Sequence, residues 1–302
     1  MKTTRREFVS TAVMAGLAAG FRTSEAVQLP LAFSTLGCPK WPWPQILQFA
    51  SDNGFAAIEL RGILGDLDLP SRPEFAPDKI AGVKKDLAAR GLKISDLGSS
   101  SEMHDADEAK SAQSIAGAKR FIDLAEKLEA PYVRIFGNKV EGPRNEVVHR
   151  VASGMRELAV YAAPRNVAVI IESHGDFVTS ALLKQVLTET DHPNALLLWD
   201  AHHTFVDGRE EPEFTVRELG KWIRHTHLKD SVAVNGERHY VLTGKGDVPV
   251  RRQMQALANI GYQGFFCFEW EKLWHPEIAE PEIAIADFAR VVPTYLMKSG
   301  KG

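Results

Sequence analysis

Eight short apolar runs divide the chain between Leu31 and Glu271, and helical patterns fill the gaps between them. The runs are Leu31–Leu36, Ala56–Arg61, Lys93–Leu97, Tyr132–Phe136, Ala168–Ser173, Leu196–Ala201, Ile223–Lys229 and Gly264–Glu271. Consecutive starts lie 25 to 41 residues apart, room for a strand and a crossover helix. Short unbroken apolar runs of this kind read as parallel strands buried on both faces. Between them apolar residues recur at helical spacing: Ile115, Ala118, Ile122 and Ala125, then Ile285, Phe288, Val292 and Tyr295. Gly54, Gly91 and Gly261 close helical runs, as left-handed caps require. The alternation predicts an α/β fold with a parallel sheet, and eight units favour closure into a (β/α)8 barrel over an open sheet. No composition break follows Pro30, so residues 30–298 read as one domain.

Three of these runs stop at a carboxylate: VAVIIE at Glu172, ALLLWD at Asp200 and GFFCFE at Glu269. WIRHTHLKD carries His227 at the matching place. The separations are 28 (200−172), 27 (227−200) and 42 (269−227) residues, each about one strand–helix repeat. The four groups therefore come from the last four staves and meet at the carboxyl-end mouth, where such barrels place functional groups. Three carboxylates and an imidazole make an oxygen-rich ligand set for one divalent metal ion. It favours Mn2+, and Mg2+, Co2+ or Zn2+ are compatible with it.

The first 26 residues are a different material. Arg5-Arg6-Glu7-Phe8 precedes an uncharged run from Val9 to Phe21, and small residues surround Ser24-Glu25-Ala26. This is the layout of a signal peptide, with paired arginines of the twin-arginine type, and predicts export to the periplasm or medium. The run is too short to span a bilayer, and no later run approaches that length, so no membrane attachment is expected after cleavage. A formal net charge of −3 offers no basic field for nucleic acid. Two cysteines, Cys38 and Cys267, form no disulfide framework and read as free thiols, although the strands that carry them would be barrel neighbours. The sequence leaves a homo-oligomer open.

The stretches Ile171-Glu172-Ser173-His174, Trp199-Asp200-Ala201-His202-His203, His227-Leu228-Lys229-Asp230, Gly244-Lys245-Gly246-Asp247 and Phe268-Glu269-Trp270 resemble the xylose isomerase-like TIM barrels. That group includes sugar isomerases, ketose 3-epimerases, inosose-type dehydratases and endonuclease IV. The resemblance implies that Glu172, Asp200, His227 and Glu269 bind one divalent ion. It also implies that Glu172 and Glu269 exchange protons with opposite faces of a sugar by way of an enediolate. It further places His203, and Arg238 in the long polar loop 232–248, against the substrate.

Other residues near the strand ends carry two readings each. His174 lies two after Glu172 and so faces the same way in extended chain; it touches substrate or orients Glu172. Lys229 binds a substrate oxygen or pairs with Asp230 to lock the loop. Glu59 and Arg61 read as an ion pair on the rim, and Glu102 and His104 as polar side chains facing solvent. Trp41 and Trp274 are expected to wall a sugar, whereas Trp199 and Trp270 point away from the axis. The function expected is a metal-dependent sugar isomerase or epimerase acting on a small, unphosphorylated sugar or keto-sugar, since no Arg/Lys cluster adjoins the ligands in sequence. The alternatives are a sugar lyase or dehydratase of the same fold, an endonuclease IV-like phosphodiesterase and a sugar-binding module. The second lacks histidines at the ends of strands two and three, which read Glu59-Leu60-Arg61 and Gly98-Ser99-Ser100.

Overall fold

The computed structural model describes residues 29–296; the expected signal segment, residues 1–26, lies outside them. Eight parallel strands close a barrel. They are β1 (Leu31–Ser34), β2 (Ala57–Leu60), β3 (Lys93–Glu102), β4 (Tyr132–Phe136), β5 (Ala168–Glu172), β6 (Ala195–Asp200), β7 (Ile223–Leu228) and, last, β10 (Phe266–Phe268). Two further strands, β8 (Asp230–Val234) and β9 (Glu237–Val241), form a separate hairpin. β1 closes the ring by pairing with β10, Ala32 opposite Cys267.

The crossovers carry α1 (Trp43–Asp52), α2 (Ile80–Ala89), α3 (Glu108–Leu128), α4 (Arg144–Ala162), α5 (Ser180–Thr190), α6 (Ala201–Val206), α7 (Pro212–Leu219), α8 (Val250–Asn259) and α9 (Pro281–Val291). The predicted stripe of α3 is buried at Ile115, Ala118, Ile122 and Ala125. The C-terminal stripe is interrupted: Val292–Tyr295 form a 3-10 turn after α9, because Pro293 has no N–H to continue the α-helix. Gly54, Gly91 and Gly261 take positive φ at helix ends. Among the described residues no helix is long and apolar enough to cross a membrane. Cys38 and Cys267 are both free and buried.

Two departures shape the mouth. β3 runs five residues past Leu97, through a serine stretch with no apolar signature. Ser99 Oγ donates to the Arg134 carbonyl at 2.5 Å, so a hydroxyl replaces part of the ladder where the register shifts. The segment expected as an open polar loop instead folds as the β8–β9 hairpin. Its turn is Asn235-Gly236, both at positive φ (53° and 85°), the conformation that a two-residue hairpin loop demands.

Asp230 anchors the hairpin to the barrel. Its buried carboxylate accepts backbone N–H groups from Ser231, Gly244, Gly246 and Val248 at 2.8–3.2 Å. A Cβ on Gly246 would fall 2.1 Å from Asp230 Oδ1, so only glycine admits this approach. Asp230→Ala strands several donors and is expected to cost about 3 kcal/mol, read as a lowered urea midpoint at unchanged slope.

Candidate active site

β5, β6, β7 and β10 bring Glu172, Asp200, His227 and Glu269 to one point on the barrel axis. One ligand atom from each lies within 4.8 Å of all the others, and all four residues are buried. His227 Nδ1 stands 3.5 Å from Glu172 Oε1, 3.7 Å from Asp200 Oδ2 and 3.2 Å from Glu269 Oε1. Its other nitrogen, Nε2, lies 2.7 Å from Glu59 Oε2. A carboxylate only accepts, so Nε2 carries a proton, and whenever the ring is neutral its Nδ1 lone pair faces three anions. Nδ1 has no hydrogen-bond partner. A buried lone pair facing three carboxylates is favourable only with positive charge between them. Burial lowers the His227 pKa, but Glu269, Glu59 and Glu172 outweigh it and hold the value well above the ordinary one. A second proton on Nδ1 or a divalent cation in the ring meets the same need. The donor set, one nitrogen and three carboxylates, fits Mn2+, Mg2+, Co2+ or Zn2+.

Glu59, expected in a rim pair with Arg61, is instead a buried group inside the barrel. It meets His225 Nε2 at 2.9 Å as well as His227, and His225 Nε2 also lies 3.1 Å from Asp96 Oδ1. Burial pushes the Glu59 carboxyl up, yet the two imidazoles hold it well below the usual range. Burial opposes charge on His225, but Asp96 and Glu59 raise its pKa to about 9. Burial, then Glu59, pushes Asp96 up to about 6. The stack keeps Glu59 ionised as acceptor for His227. Cys267 Sγ lies 3.7 Å from Glu59 Oε2, and burial followed by Glu59 pushes its thiol up. It therefore stays protonated, a poor ligand.

Two cations, Arg134 and Lys229, meet carboxylate oxygens of the ring. Arg134 donates to Glu172 Oε2, so Glu172 turns Oε1 inward and Oε2 to a guanidinium. Burial raises the Glu172 pKa, but Arg134 and His227 hold it far below the usual value. Asp200 Oδ1 caps α6 by accepting from His202 and His203 N–H, which leaves Oδ2 for the ring. Lys229 is fully buried; it donates to Asp200 Oδ2 at 2.6 Å and to Glu269, and lies 2.9 Å from Glu271. The Lys229–Asp230 lock is thus replaced: Lys229 faces the carboxylates while Asp230 holds backbone N–H groups.

Above the ring opens a cavity of about 270 Å3 bordered by Glu172, Glu269, His174, His203, Trp274 and two arginines, Arg61 and Arg134. His203 Nδ1 meets the Ser173 carbonyl at 3.1 Å, which makes it the donor and leaves Nε2 as acceptor. The hydrogen bond described for His174 runs to Asn138 Oδ1, not to Glu172, and its ring packs against Phe136 and His203. Trp274 is half exposed at the lip.

Other expected residues lie elsewhere. Arg238 is exposed on β9 opposite Ala233, because the Asn-Gly turn folds this segment on itself rather than across the mouth; Tyr240 is the hairpin ring that packs against His202. Trp41 is buried against Phe49 and donates to Glu282 on α9, away from the cavity. Trp199 and Trp270 are buried and donate to Thr204 Oγ1 and the Ala279 carbonyl. His104 is buried rather than superficial, 3.7 Å from Glu102. Asp96, His225, Arg61, Arg134 and Glu271 escaped the sequence reading as site residues; the only signal was a charge inside or beside an apolar run.

Comparison with known proteins agrees with this geometry. A family model described as xylose isomerase-like TIM barrel matches residues 47–289. Fructoselysine 3-epimerase of Shigella flexneri is 26% identical over 253 residues, 78% of this chain and 87% of that protein. 3-Dehydroshikimate dehydratase of Bacillus anthracis is 27% identical over 193 residues, 61% of this chain and 65% of that protein. The crystal structure of the IolI protein with a zinc atom bound superposes with a TM-score of 0.74 at 18% identity, covering 90% of this chain and all of that one.

Lys229 is the cation that lets the carboxylates Asp200, Glu269 and Glu271 share one buried site. Lys229→Met is expected to destabilise the metal-free protein by about 3–5 kcal/mol, as the loss of one partner from a buried ionic cluster does; chemical denaturation in chelator measures it.

Proposed function

Because the chain belongs to the xylose isomerase-like TIM barrel family, we propose that it is an isomerase-class enzyme, a divalent-metal-dependent sugar isomerase or epimerase. The observation that carries this reading is His227 Nδ1, unpartnered and turned to three carboxylates that together could hold one cation. A cation held by Glu172, Asp200, His227 and Glu269 would supply Lewis-acid polarisation of adjacent sugar oxygens, which acidifies the C–H between them.

The remaining work falls to side chains. Glu172 and Glu269 both border the cavity and come from β5 and the end of β10, separate staves of the rim. One, ionised, takes the proton from the carbon beside the carbonyl, leaving the enediolate; the other, having taken a proton from solvent before that step, gives it to the opposite face of that carbon. Arg134 and Lys229 hold these carboxylates in place, and their charge favours the ionised form of whichever acts as the base. His203 presents Nε2 to a sugar hydroxyl, and Trp274 covers a C–H face at the lip.

A dehydratase reading shares the first proton removal. What favours it is Glu271, which borders the cavity beside Lys229 and whose carboxyl is pushed up by burial, a donor for a departing hydroxyl. The products decide: epimerisation conserves mass, whereas dehydration yields an unsaturated carbonyl with ultraviolet absorbance.

Purified protein is expected to carry about one divalent ion per chain and to exchange deuterium into free ketoses in heavy water. Chelation should stop the exchange, and Glu172→Gln or Glu269→Gln should slow it by roughly 10²–10⁴-fold. Exchange that persists without metal rejects the reading. Glu59→Gln, which loosens the His227 tautomer, should weaken metal binding by about 10–100-fold in a chelator competition; unchanged affinity removes Glu59 from the design.

A further inference from the structure

The cavity is bordered by two arginines, and the isomerase chemistry uses only the Nη1 of Arg134, which holds Glu172. Arg61 follows β2 and Arg134 lies on β4, both are buried, and both border the cavity. Gly98 on β3 sits between them. A Cβ there would fall 2.8 Å from Arg61 Cδ and 3.0 Å from Arg134 Nη2, so the missing side chain leaves the space that both arginine side chains use. Arg61 is held by the Gly98 carbonyl at 3.3 Å and Ser100 Oγ at 3.0 Å, and its backbone N–H by Thr35 Oγ1 at 2.9 Å. Arg134 spends Nη1 on Glu172, and its guanidinium lies 3.9 Å from the Phe136 ring centre. Its Nε and Nη2, one edge of the guanidinium fork, have no partner although the residue is only 3% exposed. Buried donors without acceptors are costly, and buried neighbouring cations repel.

We infer that the substrate bears a carboxylate, received by the paired guanidiniums of Arg61 and Arg134. This deepens the proposed function and rests on the same cavity being the sugar site. A hydroxyl offers one oxygen to this group of donors, whereas a carboxylate presents two in the plane that a guanidinium edge matches. A phosphate would bring up to two negative charges near Glu172, Glu269 and Glu271, all of which border the same cavity. A singly charged carboxylate meets less repulsion. The substrate class is therefore a keto-sugar acid of monosaccharide size, consistent with the volume of about 270 Å3. It narrows the unphosphorylated sugar or keto-sugar expected from the sequence to one that carries a carboxylate.

The test is calorimetric titration of the full chain with three compounds of one skeleton: D-fructose, D-fructuronate and D-fructose 6-phosphate. Fructuronate is expected to bind at least about tenfold more tightly than fructose, and Arg61→Gln to shrink that ratio to within about twofold. Equal binding of fructose and fructuronate, a ratio that survives Arg61→Gln, or tighter binding of the phosphate would each overturn the carboxylate assignment. If Arg61→Gln does not fold, Arg61→Lys keeps the charge and loses the fork; it should lower the ratio at least about threefold, and an unchanged ratio counts against the inference. Deuterium exchange separates this inference from the reading beneath it. A carboxylate preference without metal-dependent exchange removes the isomerase chemistry and leaves the anion site standing. Exchange with no carboxylate preference does the reverse.

Discussion

The hydrogen bond between His227 Nε2 and Glu59 is the contact on which the site turns. It decides which nitrogen carries the proton, and so which one faces Glu172, Asp200 and Glu269. Without it a neutral imidazole could carry its one proton on Nδ1 and turn an N–H, not a lone pair, to the carboxylates. With it, the centre of the barrel mouth is a concave arrangement of lone pairs and negative charge. Glu59 in turn stays ionised because His225 and Asp96 lie beneath it.

Charge of both signs is concentrated at this mouth and in the barrel interior beneath it. Asp96, Glu59, Glu172, Asp200, Glu269 and Glu271 are buried there with His225, His227, Lys229, Arg61 and Arg134. Such a set survives only because each ion has a partner at hydrogen-bond distance or a place for one. Lys229 and Arg134 fill two of those places within the chain. Two others, His227 Nδ1 and the buried Nε–Nη2 edge of Arg134, have no hydrogen-bond partner, and the proposals for a cation and for a substrate carboxylate grow from them.

Much of the barrel was legible because buried parallel strands leave unbroken apolar runs, and a carboxylate that ends such a run is conspicuous. Tyr132–Phe136 was read with its observed ends, and Ala168–Glu172 to within one residue. The extension of β3 was not legible, since Ser99, Ser100 and Ser101 have no apolar period; their strand form depends on hydroxyl bonds to β4 and to Arg61. The β8–β9 hairpin was legible and missed: Asn235-Gly236 carries the turn chemistry, but the polar residues around it resembled a loop.

The order of apolar runs along the chain determined the eight-stave alternation and the four polar strand ends that share one rim, because strand periodicity and chain direction are local properties. Which other charges join them was decided only by closure of the barrel. Glu59 and His227 are 168 residues apart in sequence, and Arg134 and Glu172 are 38 apart. Such pairs have no local signature: a buried glutamate or arginine on a strand looks like a rim residue until the opposite stave arrives. The tautomer of His227 and the pairing of the arginines are properties of that closed space, where desolvation makes every unpaired ion expensive and so dictates its neighbour.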